Sequence, residues 1–209
     1  RVAKNSNIIS ALTNAVKNGK SVTVAVVLQA RFDEEANIYW AKQLKEEGAN
    51  VIYGVPGLKV HSKLFLITRK EEKGSVDYAH IGTGNFNEDT ARLYCDHSLL
   101  TADERITDEV SKVFTFFNNN FKTGNYKHLI VAPFYMRKRF TKLINHEIEN
   151  AELGKEAYII LKLNSLGDRD IIKKLYQAGQ AGVKIKLITR SNCSIIPGIK
   201  KLSENIEFV

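Results

Sequence analysis

The chain has 209 residues, room for one large domain or two small ones, and its 44% hydrophobic and 26% charged residues exclude wholesale disorder. Its 31 basic and 23 acidic residues leave a net charge of +8, which favours an anionic partner: nucleic acid, an acidic membrane face or a phosphate-rich substrate. No apolar run approaches a transmembrane length, and the two cysteines, Cys95 and Cys193, are too few and too far apart for a zinc site or a disulfide framework.

Along the chain, residues 6–18 have helical periodicity. Ile8, Ile9, Leu12 and Val16 share a face, Ser6 can cap the start and Gly19 can end it. Residues 21–30 (SVTVAVVLQA) are valine-rich and predict a strand buried on both faces. Residues 33–47 predict a helix with an acidic first turn and Gly48 as its stop, with Tyr39 and Trp40 as packing residues. A short strand at 50–53 leads into a turn at 54–57 (GVPG). Residues 63–69 and 76–81 read as a hairpin around 71–74. Residues 103–118 predict a helix with Ile106, Val110, Val113 and Phe117 inward, and the polar stretch 119–128 is the best linker. After an apolar segment at 129–132, a helix is expected at 137–153, a strand at 157–163, a helix at 168–181 and a strand at 183–189. Helices alternating with apolar strands define the α/β class.

The chain opens at Arg1 with no leader pattern, and residues 205–209 read as the beginning of a strand. An excised piece of a longer protein is therefore expected, a processed or tag-cleaved whole domain being the alternative. A low cysteine content fits a reducing, cytoplasmic compartment. The segment 8–19 also resembles 171–182: Ile8, Leu12, Ala15 and Gly19 keep the spacing of Ile171, Leu175, Ala178 and Gly182, and each helix feeds a strand leading to Arg31 or Arg190. Any amphipathic helix ending in glycine before a strand has this form, so duplication stays one of two readings.

Three constellations carry chemistry. In His61-Ser62-Lys63, extended backbone points His61 and Lys63 the same way, so an imidazole and an ammonium sit together. Neutral imidazole can take up a phosphoryl group while lysine neutralises its oxygens. The same pattern arises from a surface histidine beside a snorkelling lysine. In Gly82-Thr-Gly-Asn85-Phe-Asn87, glycines let backbone N–H groups approach an anion and the polar side chains add donors, although a Gly/Asn turn looks alike. Arg1, Arg31 and Arg190 each lie near an apolar strand, and guanidinium forks suit phosphate oxygens as well as neighbouring carboxylates. Tyr94 offers a ring for stacking. Asp96 is a carboxylate that could orient an imidazole or simply form a salt bridge.

Residues 28–35 (LQARFDEE), 53–63 (YGVPGLKVHSK), 80–87 (HIGTGNFN) and 90–94 (TARLY), with 99–103 (LLTAD) and 203–206 (SENI), closely resemble the phospholipase D-like family of bacterial polyphosphate kinases. The likeness runs over essentially the whole chain and corresponds to the family's C-terminal catalytic half. It implies an α/β fold of tandem phospholipase D-like units, mixed sheets flanked by helices, at residues 1–124 and 125–209, the second truncated. It implies reversible transfer of the terminal phosphate of ATP to a polyphosphate chain, with release of ADP.

In that resemblance His61 is the phosphohistidine nucleophile and Lys63 matches the rest of the H-x-K element; Asp96 is a further catalytic candidate on its own chemistry alone. Tyr94 and Arg190 match nucleotide-binding positions, and Asn85 and Asn87 match the Gly-Asn element and are taken with them. Arg1 and Arg31 match arginines assigned to the magnesium–phosphate site. Arginine is a poor cation ligand, so both are expected on phosphate oxygens beside Mg2+. Thr68 stands where phospholipases carry an aspartate, which disfavours lipid hydrolysis. The family's second active-site histidine has no counterpart, so the chain alone is expected not to sustain turnover. The partners implied are ATP and polyphosphate, in a homo-oligomeric parent enzyme, without nucleic acid. The location implied is cytoplasmic, with room for peripheral association at the inner membrane. Two other classes stay open: a phospholipase D-like phosphodiesterase or nuclease, and a noncatalytic polyanion-binding module.

Overall fold

The structure, a computed structural model, describes residues 2–3, 5–27, 34–121 and 123–209. Arg1, Arg31, Asp33 and the last three residues of the expected 21–30 strand lie outside the described residues. The fold is mixed α/β with three small sheets, and the chain divides into two compact units, Arg1–Leu129 and Ile130–Val209.

In the first unit, α1 (Asn7–Lys17) and α2 (Glu34–Glu46) accompany a parallel pair, β1 (Thr23–Val26) and β2 (Asn50–Tyr53), with Thr23 opposite Asn50. Their apolar faces meet in a cluster in which Ile9, Leu44 and Ala49 are buried and Leu12, Val16, Val24, Trp40 and Val51 pack against them. Gly19 and Gly48 end the helices with φ of +70° and +103°, where glycine carries no steric cost. Two expectations change. β1 is short and half-buried rather than buried on both faces, because among the described residues it pairs with β2 alone. Trp40 packs and its Nε1–H donates to the Ala3 carbonyl at 3.3 Å, but Tyr39 is 55% exposed and meets Trp40 edge-on.

The same unit holds an antiparallel hairpin, β3 (Lys63–Glu71) and β4 (Gly74–Gly82), with Lys63 opposite Gly82 and Phe65 opposite His80. β5 (Ser98–Thr101) adds to β4 with Ser98 opposite Gly82. β5 and the one-turn α3 (Glu88–Ala91) are absent from the sequence-based expectations. α4 (Glu104–Asn118) packs on β3 and β4. Its buried stripe includes Val110 and Val113 as expected. Ile106 and Phe117 are only half-buried, while Thr107, Glu109 and Phe116 are buried. Glu109 explains the shift. Its carboxylate accepts the backbone N–H groups of Lys127 at 2.7 Å, Leu129 at 2.7 Å and His128 at 3.1 Å. That clamp ties the end of the expected 119–128 linker back to α4.

The second unit is α5 (Met136–Glu152), β6 (Tyr158–Leu163), α6 (Arg169–Gln180), β7 (Lys184–Thr189) and β8 (Ile206–Phe208). The strands form a parallel sheet in the order β6-β7-β8, Tyr158 opposite Lys184 and Ile185 opposite Ile206. The first four residues of β7 alternate: Ile185 and Leu187 are buried, Lys184 and Lys186 exposed. The core joins Ile144 of α5, Leu175 and Ala178 of α6, and Ile185, Leu187 and Ile206 of the sheet. Asp168 caps α6 by accepting the N–H groups of Asp170 and Ile171, and Arg137 of α5 donates to it at 2.6 Å. Among the described residues no helix is long and apolar enough to cross a membrane.

Candidate functional site

His61 precedes β3 and is exposed, while Lys63 opens the strand and is 7% exposed. Lys63 Nζ donates to the His61 carbonyl at 2.8 Å and lies 2.9 Å from Nδ1 and 3.3 Å from Nε2 of the His61 ring. An ammonium only donates, so this contact fits a neutral imidazole with a lone pair toward it. The two residues of the H-x-K pattern therefore meet directly. Thr68, an odd number of residues after Lys63, lies on the opposite face of β3, where its hydroxyl donates to Asp77 at 2.5 Å.

The strand register sets Lys63 across from Gly82, so the H-x-K end of β3 lies beside the loop that leaves β4. Both loop glycines are demanded by close approach. A Cβ on Gly82 would come within 2.6 Å of His80 Cε1, and one on Gly84 would collide with the Asp96 carboxylate. Thr83 is spent within the loop: its N–H donates to the His97 carbonyl, its hydroxyl donates to Asp96 Oδ1 and accepts the His97 N–H, each at 3.0 Å. Asn87, 7% exposed, caps α3 by accepting the N–H groups of Asp89 and Thr90 at 3.1 Å. Its carbonyl oxygen is thus committed, which leaves the amide nitrogen as the group able to donate to a ligand.

A recess of about 210 Å³ opens between this loop and the segment that follows α3, lined by His80, Asn85, Phe86, Tyr94, Asp96 and Ser98 among others. Its floor is aromatic: His80 stacks on Phe65 with ring centroids 4.9 Å apart and lies 5.3 Å from Phe86. Burial pushes the His80 imidazole below its ordinary pKa of 6.5, and its buried Nδ1 has no hydrogen-bond partner. Of the sequence candidates, Asn85, Tyr94 and Asp96 share this recess, and Asn87 is not among its lining residues. Asp96 Oδ1 accepts the Thr83 hydroxyl rather than an imidazole N–H. His61 and Lys63 do not line the recess; they meet the loop through the Lys63–Gly82 register.

Arg190 is exposed and follows the last residue of β7 in the second unit. Arg1 and Arg31 lie outside the described residues. Among the described residues no three His, Cys, Asp or Glu side chains gather as a metal cage.

Sequence reasoning passed over Glu88. Its Oε1 accepts the N–H of Asn7 at 2.8 Å and the hydroxyl of Ser6 at 3.2 Å, so the first residue of α3 caps α1 from 82 positions away. No local pattern signals a partner at that distance. Burial pushes the Glu88 carboxyl up, but its hydrogen bonds outweigh that and hold it below the usual carboxylate range.

Compared with known proteins, residues 1–123 match the family Polyphosphate kinase C-terminal domain 1 and residues 129–209 match Polyphosphate kinase C-terminal domain 2. A polyphosphate kinase of Vibrio vulnificus (strain YJ016) is 56% identical over the whole chain, and one of Escherichia coli (strain K12) is 53% identical. This chain covers 30% of each of these two relatives, so it spans under a third of their length. The crystal structure of polyphosphate kinase from Porphyromonas gingivalis superposes with a TM-score of 0.85 at 41% identity, over 100% of this chain and 34% of that one.

Proposed function

Because this chain belongs to the polyphosphate kinase family, we propose that it carries the phosphoryl-transfer site of an ATP–polyphosphate phosphotransferase, with His61 as the nucleophile. Lys63 Nζ passes from the His61 ring to the phosphate oxygens of the incoming ATP, and the ring lone pair it leaves attacks the terminal phosphorus. The bond to the bridging oxygen breaks, ADP leaves, and a phosphohistidine remains. A terminal oxygen of polyphosphate then attacks that phosphorus, the P–N bond breaks, and the imidazole is regenerated. Both steps run in reverse when ADP is the acceptor.

Such transfer depends mainly on positioning and on charge stabilisation. Lys63, already against the His61 ring, supplies positive charge to the transferring oxygens. Asn85, the Asn87 amide nitrogen and Tyr94 hold nucleotide, and Arg190 is a nucleotide-binding candidate of the second unit. Asp96 orients the loop through Thr83. Arg1 and Arg31 contact phosphate oxygens. Magnesium travels on the nucleotide's phosphates as part of the substrate, which suits an ion that keeps few protein ligands. The two-domain division at residue 124, the phospholipase D-like ancestry and the oligomeric parent enzyme belong to the same reading.

The observation that supports this reading most is the direct Lys63–His61 contact at the strand end facing the Gly82–Asn87 loop. The test is labelling of the full-length enzyme with ATP carrying label in its terminal phosphate. Acid-labile label is expected on the wild type and absent from His61→Ala. Label retained in His61→Ala moves the nucleophile elsewhere.

A further inference from the structure

We infer that Glu88 is a positioning residue, an anchor that fixes the far end of the Gly82–Asn87 loop to the N-terminus of α1. The inference rests on the reading of that loop as part of the phosphoryl-transfer site. Ser6 stands at the N-cap position of α1 with extended backbone, φ −82° and ψ 124°, the geometry in which a serine hydroxyl ordinarily accepts from its own helix. Here it makes no such bond. Ser6 turns its hydroxyl to donate to Glu88 Oε1, and the same oxygen accepts the Asn7 N–H. The capping task has been handed to a residue from another part of the unit.

The arrangement goes beyond what α1 alone requires. Ser6 already stands at the N-cap position with suitable backbone, yet the acceptor comes from Glu88, 82 positions away. What the arrangement adds is a second fixed point for the loop. At its start, the loop is held by the β4–β5 ladder and by the Thr83–Asp96–His97 hydrogen bonds. At its end, Asn87 caps α3 and fixes the backbone from which Glu88 projects. Between the two points lie Asn85 and Phe86, which line the recess. Without the Glu88 bond, α3 and the end of the loop lose this tie to α1.

The chemistry separates this role from plain stability. In Glu88→Gln the amide carbonyl can still accept from Asn7 and Ser6. In Glu88→Ala nothing reaches α1, but Ser6 is free to cap its own helix, so α1 is expected to persist while the loop loosens. The experiment compares wild type, Glu88→Ala, Glu88→Gln and Ser6→Ala in the full-length enzyme. Three readouts are taken: kcat and KM for ATP, the melting temperature, and amide exchange of residues 83–87. Glu88→Ala is expected to lower kcat/KM by about tenfold with little change in melting and to speed exchange at 83–87. Glu88→Gln and Ser6→Ala should stay within about twofold of wild type. Glu88→Ala with unaltered exchange at 83–87 overturns the anchor, whatever the kinetics. Glu88→Gln failing as badly as Glu88→Ala also overturns it. Faster exchange at 83–87 with kcat/KM intact sinks the link to catalysis. The exchange readout needs no phosphoryl transfer, so it judges the anchor even if labelling of His61→Ala refutes the reading of the site.

Discussion

Around β6–β8, order comes from repetition. Every second residue of the first four in β7 turns inward, and Leu175, Val183, Ile185 and Leu187 are each buried to 1% or less. Around β3–β5, the residues that shape the candidate site are polar and individually engaged: Lys63 on His61, Thr83 between Asp96 and His97, Asn87 on α3, Glu88 on α1, Glu109 on residues 127–129. Apolar burial is non-directional and scales with area, so it tolerates small displacements. A hydrogen bond fixes distance and angle. The β6–β8 region is therefore built for stability and the β3–β5 region for placement.

The largest effect expected from breaking this contrast lies in the second unit. Leu175 is fully buried at the centre of its core, and Leu175→Ala should cost about 3 kcal/mol through lost burial and the cavity left behind. Amide exchange resolved by segment is the appropriate measurement, since two units need not unfold together. Acceleration throughout 130–209 is expected. A loss below about 1 kcal/mol would show that the site collapses around the alanine.

Glu109→Ala comes next, at about 2 kcal/mol, because it strips the acceptors from three backbone N–H groups. The loss should appear in 104–129 and spare 158–189. This variant also sharpens the contrast in pH. Burial pushes the Glu109 carboxyl up, but the N–H groups of Leu129, Lys127 and His128 outweigh that and hold it below its ordinary 4.5. Its contribution is present above 4.5 and lost as pH falls through the lowered folded value. Glu109→Gln should flatten that acid step in the first unit. An unchanged step would assign it to another carboxylate. Asp168 in the second unit is also held low, first by the Ile171 N–H and then by Arg137, but it is open to water, where such interactions are weakened.

The same contrast decides what could be read from sequence. Helix α6 was legible because Ile171, Leu175 and Ala178 repeat at helical spacing and Gly182 stops the run. The hairpin was legible from β-rich segments flanking a charged turn. The H-x-K pair was legible because alternation in extended chain brings residues two apart onto one side. Glu109 was not, since periodicity locates a buried stripe without revealing that one of its members is a carboxylate with backbone partners 18 to 20 residues on. Glu88 was hidden for the same reason at longer range. The loop glycines were noticed but for a different cause. Glycine there was expected to admit an anion, whereas the structure shows it making room for His80 and Asp96. β5 escaped because its leucines are exposed rather than alternating, 50% for Leu99 and 70% for Leu100.

The smallest expected effect tests whether placement in the first unit extends to the aromatic floor. His80 is 8% exposed and stacked on Phe65, and burial lowers its pKa from 6.5. As pH falls through 6.5 the unfolded chain binds a proton before the folded one does. Stability of the first unit should therefore decline from 6.5 down to the folded value and be level above 6.5. Acid then weakens this unit in two stages, through the imidazole first and Glu109 at lower pH. An NMR titration of the His80 ring should give a midpoint below the ordinary 6.5. A midpoint at or above 6.5 would mean that the ring finds a proton acceptor in solution, and the unpartnered Nδ1 would then have to belong to a floor that opens readily to water.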